Sequence, residues 1–460
     1  MAAHLAPAEI FKTYDIRGIV DRSITPDITR AIGRAIGSEL RRRGGTAVAV
    51  GRDGRLSGPW IVDALAEGLQ ASGADVIDIG SVPTPTGYFA AHALGCDSVV
   101  MVTGSHNPPE YNGLKMVLCG HTLYGDDIQT LRQRILNSDF SSGTGHRRRA
   151  DPREDYLQRI TTSVTLARPL HLAVDCGNGV AGALAPELFR RLGCAVEPLF
   201  CEVDGTFPNH HPDPSIPHNL QDLIRAVTTG PAELGFAFDG DGDRLGVVTK
   251  RGNIIFPDRQ LMLFAADVLQ RVPGATIIYD VKSTRKLKLW IEQHGGRPLM
   301  WKTGHSLVKA KMKETGAELA GEMSGHTFFK ERWYGFDDAL YAGARLLEIL
   351  SHHADPSAVL EALPDSVSTP ELKLELSEGE NYRLIERLQA EAKFPAGTER
   401  IVIDGLRVEY SDGFGLARSS NTTPVVVLRF EADTPAALTR IQADFRAAIL
   451  ALKADARLPF

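Results

Sequence analysis

The sequence predicts an α/β protein with three tandem α/β domains of common topology and a C-terminal α+β domain. Three observations predict it. Strand-like apolar runs alternate with segments of helical period as far as Asp365. Such alternation calls for parallel sheets covered on both faces. One diverged pattern, a helix that ends at glycine and feeds a strand, recurs over residues 69–76, 188–196 and 290–299. After Asp365 the pattern changes to strand-like runs with two helices.

The elements follow in order. Ile28, Ala31, Ile32, Ala35, Ile36 and Leu40 keep the i, i+3, i+4, i+7 spacing of a helix. Thr25 caps it, Pro26 opens it, and Gly44 and Gly45 stop it. Residues 47–50 read as a buried strand ending in the polar loop Gly51-Arg52-Asp53-Gly54-Arg55. A helix over 59–69 leads through Gly73 to a strand over 76–79. Each unit opens with a strand entering a polar loop, at 48–53, 172–178 and 277–283. Each later sends a strand into a loop dense in functional groups, at 99–106, 234–244 and 319–326. These loops are expected on a common side. The charged run His146-Arg147-Arg148-Arg149-Ala150-Asp151-Pro152 reads as a solvated linker, because acidic residues follow at once. With joints near Gly252 and Asp365, the domains are 1–150, 151–253, 254–365 and 366–460. The last holds strands over 372–376, 401–403 and 425–430, with helices over 382–392 and 435–452.

Composition excludes several classes. The chain has 460 residues, 51 Lys and Arg against 57 Asp and Glu, and a net charge of −6. That balance gives no broad basic face, so nucleic acid is excluded as the main partner and any anion site is local. The five cysteines are too few and too irregular for a disulfide framework or a metal knuckle, and a reducing cytoplasm is expected. No secretory signal pattern opens the sequence, and no window approaches the ~18 apolar residues of a membrane span.

Four loops carry chemistry. The run Ser98-Val99-Val100-Met101-Val102 halts at Thr103-Gly104-Ser105-His106-Asn107-Pro108-Pro109. Two prolines end the ladder, and the Ser105 hydroxyl is lifted from the strand's C-terminal edge between small residues. Asp239-Gly240-Asp241-Gly242-Asp243-Arg244 follows the apolar strand 234–238. Three carboxylates at alternate positions converge only around a hard cation. A helix–loop–helix calcium site fails, because Arg244 and Lys250 stand where its glycine and glutamate belong. An open three-aspartate set suits Mg²⁺ with water and phosphate oxygen. Gly321-Glu322-Met323-Ser324-Gly325-His326 places Glu322 and Ser324 at period-two spacing, so an extended loop would turn both to adjacent sugar hydroxyls. Arg418-Ser419-Ser420-Asn421-Thr422-Thr423-Pro424 offers a guanidinium, hydroxyls and an amide as a phosphate cradle. Tyr14, Arg17, Lys282 and His305 lie in loops able to add phosphate contacts, and Lys115 follows the serine loop. Taken singly, each loop is also explained as an ordinary polar turn.

Together with Phe11-Lys12-Thr13-Tyr14-Asp15-Ile16-Arg17-Gly18, these loops occur in the order found in the α-D-phosphohexomutases. The chain resembles that family over nearly its whole length, and its bacterial bifunctional phosphomannomutase/phosphoglucomutase branch in particular. The resemblance implies four domains around a central cleft. It implies a phosphoryl group on Ser105, and Mg²⁺ held by Asp239, Asp241 and Asp243 beside the Ser105 oxygen. Glu322 and Ser324 would bind the sugar 3- and 4-hydroxyls. Arg418, Ser420, Asn421 and Thr422 would hold the non-reacting phosphate, with Tyr14, Lys282 and His305. Arg17, Lys115, Arg244 and His326 would handle charge and protons at the reacting group.

The implied reaction is a reversible exchange between hexose 1-phosphate and 6-phosphate. It is primed by glucose 1,6-bisphosphate, and the bisphosphate turns over inside the cleft. A site that grips O3, O4 and a distal phosphate leaves C2 unread, so glucose and mannose phosphates are both expected as substrates. A monomer is expected, with the last domain closing on binding. The rivals are a serine phosphatase using the same serine and metal and a non-catalytic sugar-phosphate sensor.

Overall fold

The computed structural model describes residues 3–420 and 423–460. Three of its four sheets share one plan. In the first, Ala47–Arg52 pairs in parallel with Asp75–Ser81 on one side and Val99–Val102 on the other; Val99–Val102 then pairs antiparallel with Tyr111–Leu118. In the second, His171–Asp175 takes the central place between Ala195–Leu199 and Leu234–Phe238, and Leu245–Thr249 is the antiparallel neighbour. In the third, Thr276–Asp280 lies between Arg297–Trp301 and Leu319–Gly321, with Thr327–Phe329 antiparallel. The alternation of strand and helix predicted the parallel trio. It did not reveal the antiparallel fourth strand, which returns through a short loop with no helix to mark it.

That fourth strand positions the chemistry. In each unit the loop joining the third strand to the antiparallel one is a chemical loop: residues 103–110, 239–244 and 322–326. All three therefore leave the carboxyl end of a parallel strand, where open α/β sheets place their ligands.

One expectation is corrected. The run 146–152 is solvated but is not merely a linker. Arg147–Arg149 forms an exposed edge strand parallel to Asp75–Ser81. Arg147 donates to Asp63 and Asp78, each at 2.7 Å. Edge strands tolerate such charge, so a basic run with acidic partners reads as linker in sequence and as strand in space.

The first three units share one apolar core. Phe89, Tyr156, Phe189, Phe236, Phe264, Phe329 and Tyr341 belong to a single buried cluster. The helix Ala339–Leu350 is buried along most of its length and touches both the second and third sheets. Asp338 caps it, accepting from the Tyr341 amide at 2.9 Å and from the Tyr156 hydroxyl at 2.8 Å. Each fully buried aromatic contributes roughly 1.5–3 kcal/mol, so the three units hold one another.

The fourth unit is an antiparallel sheet. Its order is Val367–Ser368, Val425–Ala432, Gly413–Ser419, Leu406–Tyr410 and Glu399–Ile401, and Leu372–Glu375 also pairs with Val425–Ala432. Helices Glu380–Glu391 and Pro435–Leu452 cover one face. Three of its strands, Val367–Ser368, Leu406–Tyr410 and Gly413–Ser419, were missed in sequence. Glycine weakens the strand signal of Gly413–Ser419, yet a Cβ at Gly415 would lie 2.3 Å from the Phe445 ring. The contact with the third unit is small and polar. Val281, Phe414 and Leu416 form its apolar part. Buried Arg407 donates to the carbonyls of Val281 and Ser283 at 2.6 and 2.7 Å, and Arg429 to that of Lys282.

Candidate active site

Ser105 sits in the left-handed region, with φ 51°, and is buried. A non-glycine residue there is held by its surroundings. Its amide donates to Thr103 Oγ1 at 2.8 Å, and Thr103 Oγ1 donates to Asp53 Oδ2 at 2.8 Å. Arg55 is wholly buried beneath the loop. It pairs with Asp53 at 3.1 Å and donates to the carbonyls of Ser105, Asn107, Pro108 and Tyr111 at 2.9, 2.5, 2.6 and 2.9 Å. Gly104 must lack a side chain, since a Cβ would lie 2.4 Å from Arg55 Cζ. Asp53 and Arg55 were seen in sequence only as a polar loop; their spacing from the serine gave no sign of the contact.

Ser105 Oγ lies 3.1 Å from Asp239 Oδ2, across two units. Asp239, Asp241 and Asp243 are fully buried and offer oxygens within 4.8 Å of one another. Asp239 Oδ1 accepts from the amides of Gly242, Asp243 and Arg244 at 3.1, 3.0 and 3.1 Å, which shapes the loop. Burial raises the Asp239 pKa, and Asp243 and Asp241 push the same way. Lys115 Nζ reaches Asp241 at 2.7 Å and Asp243 at 2.5 Å. Burial would lower the Lys115 pKa, but these carboxylates hold it raised. Thr84, which opens a first-unit helix, donates to Asp241 at 2.6 Å. Asp241 Oδ1 and Asp243 Oδ1 remain buried without a hydrogen-bond donor among the described residues. An all-carboxylate set with orphaned oxygens fits a hard divalent cation.

A second cluster, Asp243, His326 and Asp337, has the same spacing. It suits a metal less well. Burial alone would lower the His326 pKa, but Asp243 and Glu322 outweigh it and raise the value to about 9. A cation there would have to displace a proton from that imidazole.

The third loop reaches its geometry differently from expectation. Glu322 and Ser324 converge through a tight turn, closed by the Gly325 amide donating to the Glu322 carbonyl at 3.0 Å, and not through extended alternation. Ser324 Oγ is 2.8 Å from His326 Nδ1, and Glu322 Oε2 is 3.1 Å from it. His326 Nε2 faces Asp243 Oδ1 at 3.3 Å. Arg244 and His326 are bridged through their backbones, which stitches the second loop to the third. Arg17 donates to Asn107 Oδ1 at 2.6 Å and pairs with Asp15 at 2.5 Å, beside the serine loop.

The expected phosphate contacts gather between the third and fourth units. Tyr14 donates to the Thr303 carbonyl at 2.9 Å. Gly304, φ 137°, makes room for the Tyr14 ring, which a Cβ would approach to 2.7 Å. His305 is buried 3.6 Å from Asp337. Lys282 pairs with Glu371 at 2.6 Å, and Arg418 with Asp404 at 3.1 Å. Ser420 opens the cradle, its hydroxyl accepting from Thr423 Oγ1 at 3.0 Å. Asn421 and Thr422 lie outside the described residues. Sequence reasoning missed Asp337, Asp404 and Glu371, which are single acids without a motif. It also left out His106, whose Nδ1 lies 3.1 Å from Ser105 Oγ and whose pKa burial and Arg244 push well below the usual range.

Comparison with known proteins agrees with this geometry. Residues 8–142, 154–252 and 256–367 match phosphoglucomutase/phosphomannomutase alpha/beta/alpha domains I, II and III, and 371–448 match that family's C-terminal domain. The chain is 57% identical over 428 residues to a phosphomannomutase/phosphoglucomutase of Pseudomonas aeruginosa, covering 93% of this chain and 92% of that one. It is 59% identical over 428 residues to a phosphoglucomutase of Neisseria gonorrhoeae, covering 92% and 93%. The crystal structure of a phosphoglucomutase/phosphomannomutase family protein from Burkholderia thailandensis superimposes with a TM-score of 0.94 at 62% identity, covering 98% of this chain and 99% of that one. Among the described residues no helix is long and apolar enough to cross a membrane. With four domain matches in order and more than half its residues shared with relatives along nearly its full length, the chain is a member of the phosphoglucomutase/phosphomannomutase family of α-D-phosphohexomutases.

Proposed function

We propose that the chain interconverts the 1-phosphate and 6-phosphate of glucose and of mannose through a phosphoryl group carried on Ser105. One observation supports this most: the buried Ser105 hydroxyl lies 3.1 Å from the first carboxylate of the aspartate triplet, with the serine loop held by Thr103 and Arg55 and the aspartate loop by three amides that donate to Asp239. Asp239, Asp241 and Asp243 would hold Mg²⁺. That ion would offset charge on the transferring phosphoryl oxygens.

The chain's own groups do the rest. Phosphoserine donates its phosphoryl to the free O6 or O1 of a bound hexose monophosphate, and the P–Oγ bond breaks as the new P–O bond forms. The acceptor hydroxyl gives up its proton. Lys115 is held cationic by Asp241 and Asp243, which leaves His326, between Glu322 and Asp243, as the group suited to exchanging that proton. Arg17 and Arg244 add positive charge at the reacting end. Glu322 and Ser324 grip O3 and O4. Arg418, Ser420, Asn421, Thr422, Tyr14, Lys282 and His305 take the distal phosphate. The bisphosphate reorients, and the serine recovers the other phosphoryl group. Glucose 1,6-bisphosphate would prime an unphosphorylated serine. The protein acts as a monomer in the cytoplasm.

The test supplies glucose or mannose 1-phosphate with Mg²⁺ and glucose 1,6-bisphosphate, and follows both 6-phosphate and inorganic phosphate. Isomer formation far ahead of phosphate release is expected. Phosphate release without isomer would establish the serine phosphatase instead, and binding without turnover the sensor.

A further inference from the structure

A pair of thiols stands behind the aspartate loop, outside the catalytic groups. Cys176 follows the strand His171–Asp175, and its amide donates to the Leu199 carbonyl at 3.1 Å on the neighbouring parallel strand. Cys201 lies two residues past that strand's end. Between them Phe200 adopts φ 50°, a left-handed turn that brings the chain back. The two sulfurs end 3.5 Å apart. We propose that Cys176 and Cys201 form a reversible dithiol–disulfide site, oxidised by hydroperoxide and coupled to the aspartate loop.

The geometry favours this pair. A disulfide requires S–S near ~2.05 Å, so the sulfurs must close by about 1.5 Å. Side-chain rotation would supply part of that, and both residues lie just past the ends of paired parallel strands. Cys201 is partly exposed and Cys176 fully buried, so an oxidant meets Cys201 first. The contact with Cys176 lowers the Cys201 thiol, whereas burial raises that of Cys176. Cys201 therefore has the greater thiolate character and suits the attacking role. Its thiolate takes one peroxide oxygen, the O–O bond breaks, and water leaves once protonated. The Cys176 sulfur then displaces the sulfenic hydroxyl as a second water. Two thiols and one hydroperoxide give one disulfide and two waters when hydrogen peroxide is the oxidant.

The coupling runs through the backbone. The Cys176 carbonyl accepts from the Gly179 amide at 2.7 Å, and the Val180 amide donates to the Gly240 carbonyl at 3.1 Å. Gly240 lies between two of the aspartates and packs so closely on the serine loop that a Cβ there would sit 2.4 Å from the Ser105 carbonyl. Stapling residue 176 to residue 201 constrains the loop on which Gly240 rests.

The experiment treats the full chain with hydrogen peroxide, then measures intact mass, maps peptides and assays turnover before and after dithiothreitol. Expected are the loss of two hydrogens, a 176–201 cross-link, and a fall in turnover that dithiothreitol reverses. C201S and C176S should form no cross-link and keep their turnover. No cross-link, a different pair, or sulfinate on Cys201 alone would overturn the site. A cross-link with unchanged turnover, or an equal fall in C201S, would overturn the coupling. The mass readout stands whether or not the catalytic reading is right.

Discussion

The two ends of the site are built on opposite principles. At the serine end, the reacting groups are buried and bound across three units: Ser105 to Asp239, Lys115 to Asp241 and Asp243, and His326 to Asp243. Among the described residues, Asp241 Oδ1 and Asp243 Oδ1 there accept no hydrogen bond. At the phosphate end, the cations already have anionic partners. Glu371 holds Lys282 and Asp404 holds Arg418, and both carboxylates come from beyond the third sheet. On the proposed function, the serine end is a finished frame that a cation would complete. The phosphate end would exchange a protein anion for a ligand anion, across an interface whose apolar part is Val281, Phe414 and Leu416. Rigidity where bonds are made, and exchangeable pairs where the substrate turns, is the arrangement a reorienting intermediate requires.

The harshest test of the finished frame is Ser105→Ala. It removes the phosphoryl acceptor and should cut turnover by about three orders of magnitude or more. Thermal stability should stay near wild type, because the loop is shaped by Asp53, Arg55 and backbone groups. Retained turnover across the sugar phosphates would break the account. Arg55→Met comes next and probes the frame itself. It strands buried Asp53 and four carbonyls, so the first unit should lose about 3–5 kcal/mol, read from denaturant unfolding. A stability loss near zero would show that the serine loop holds its left-handed turn without the guanidinium.

Asp241→Asn is gentler. It halves the carboxylate charge bonded to Lys115 while keeping the Thr84 bond possible, and as the loss of a direct ligand charge it should weaken metal affinity by at least the roughly 10–100-fold that an outer-shell change costs. Raising Mg²⁺ should restore part of the turnover, and chelation should abolish what remains. Activity indifferent to chelator would move the cation away from the triplet.

What sequence could show divides along the same line. The serine end is local: Ser105 and the three aspartates sit in short loops after apolar strands, so residue type, spacing and a strand's end announce them. The repeated units were legible because a helix, a glycine and a strand recur. The supports were not. Asp53 and Arg55 act on a loop fifty residues away, and Thr84 opens a first-unit helix whose start happens to meet Asp241. Glu371 and Asp404 carry no motif, because a counter-ion needs only charge and proximity, and proximity is a property of the folded chain.

Glu371 gives the smallest effect and the sharpest test of the phosphate end. Burial works against its ionisation, yet Lys282, Arg429 and Arg418 pull its pKa from an ordinary 4.5 to about 2. A carboxyl depressed on folding contributes stability that is present above the unfolded value, about 4.5, and lost as pH falls through about 2. Glu371→Gln should therefore differ from wild type in stability at neutral pH and converge with it in strong acid. The side chain is 37% exposed, so added salt should shrink the difference. On catalysis the sign is opposite to a simple loss. With no carboxylate to displace, Lys282 is open to the ligand phosphate, and KM for the hexose phosphate should fall by up to about tenfold with kcat little changed. A rise in KM would show that Glu371 orients the lysine and does not compete for it, and the contrast between a fixed end and an exchanging end would then be lost.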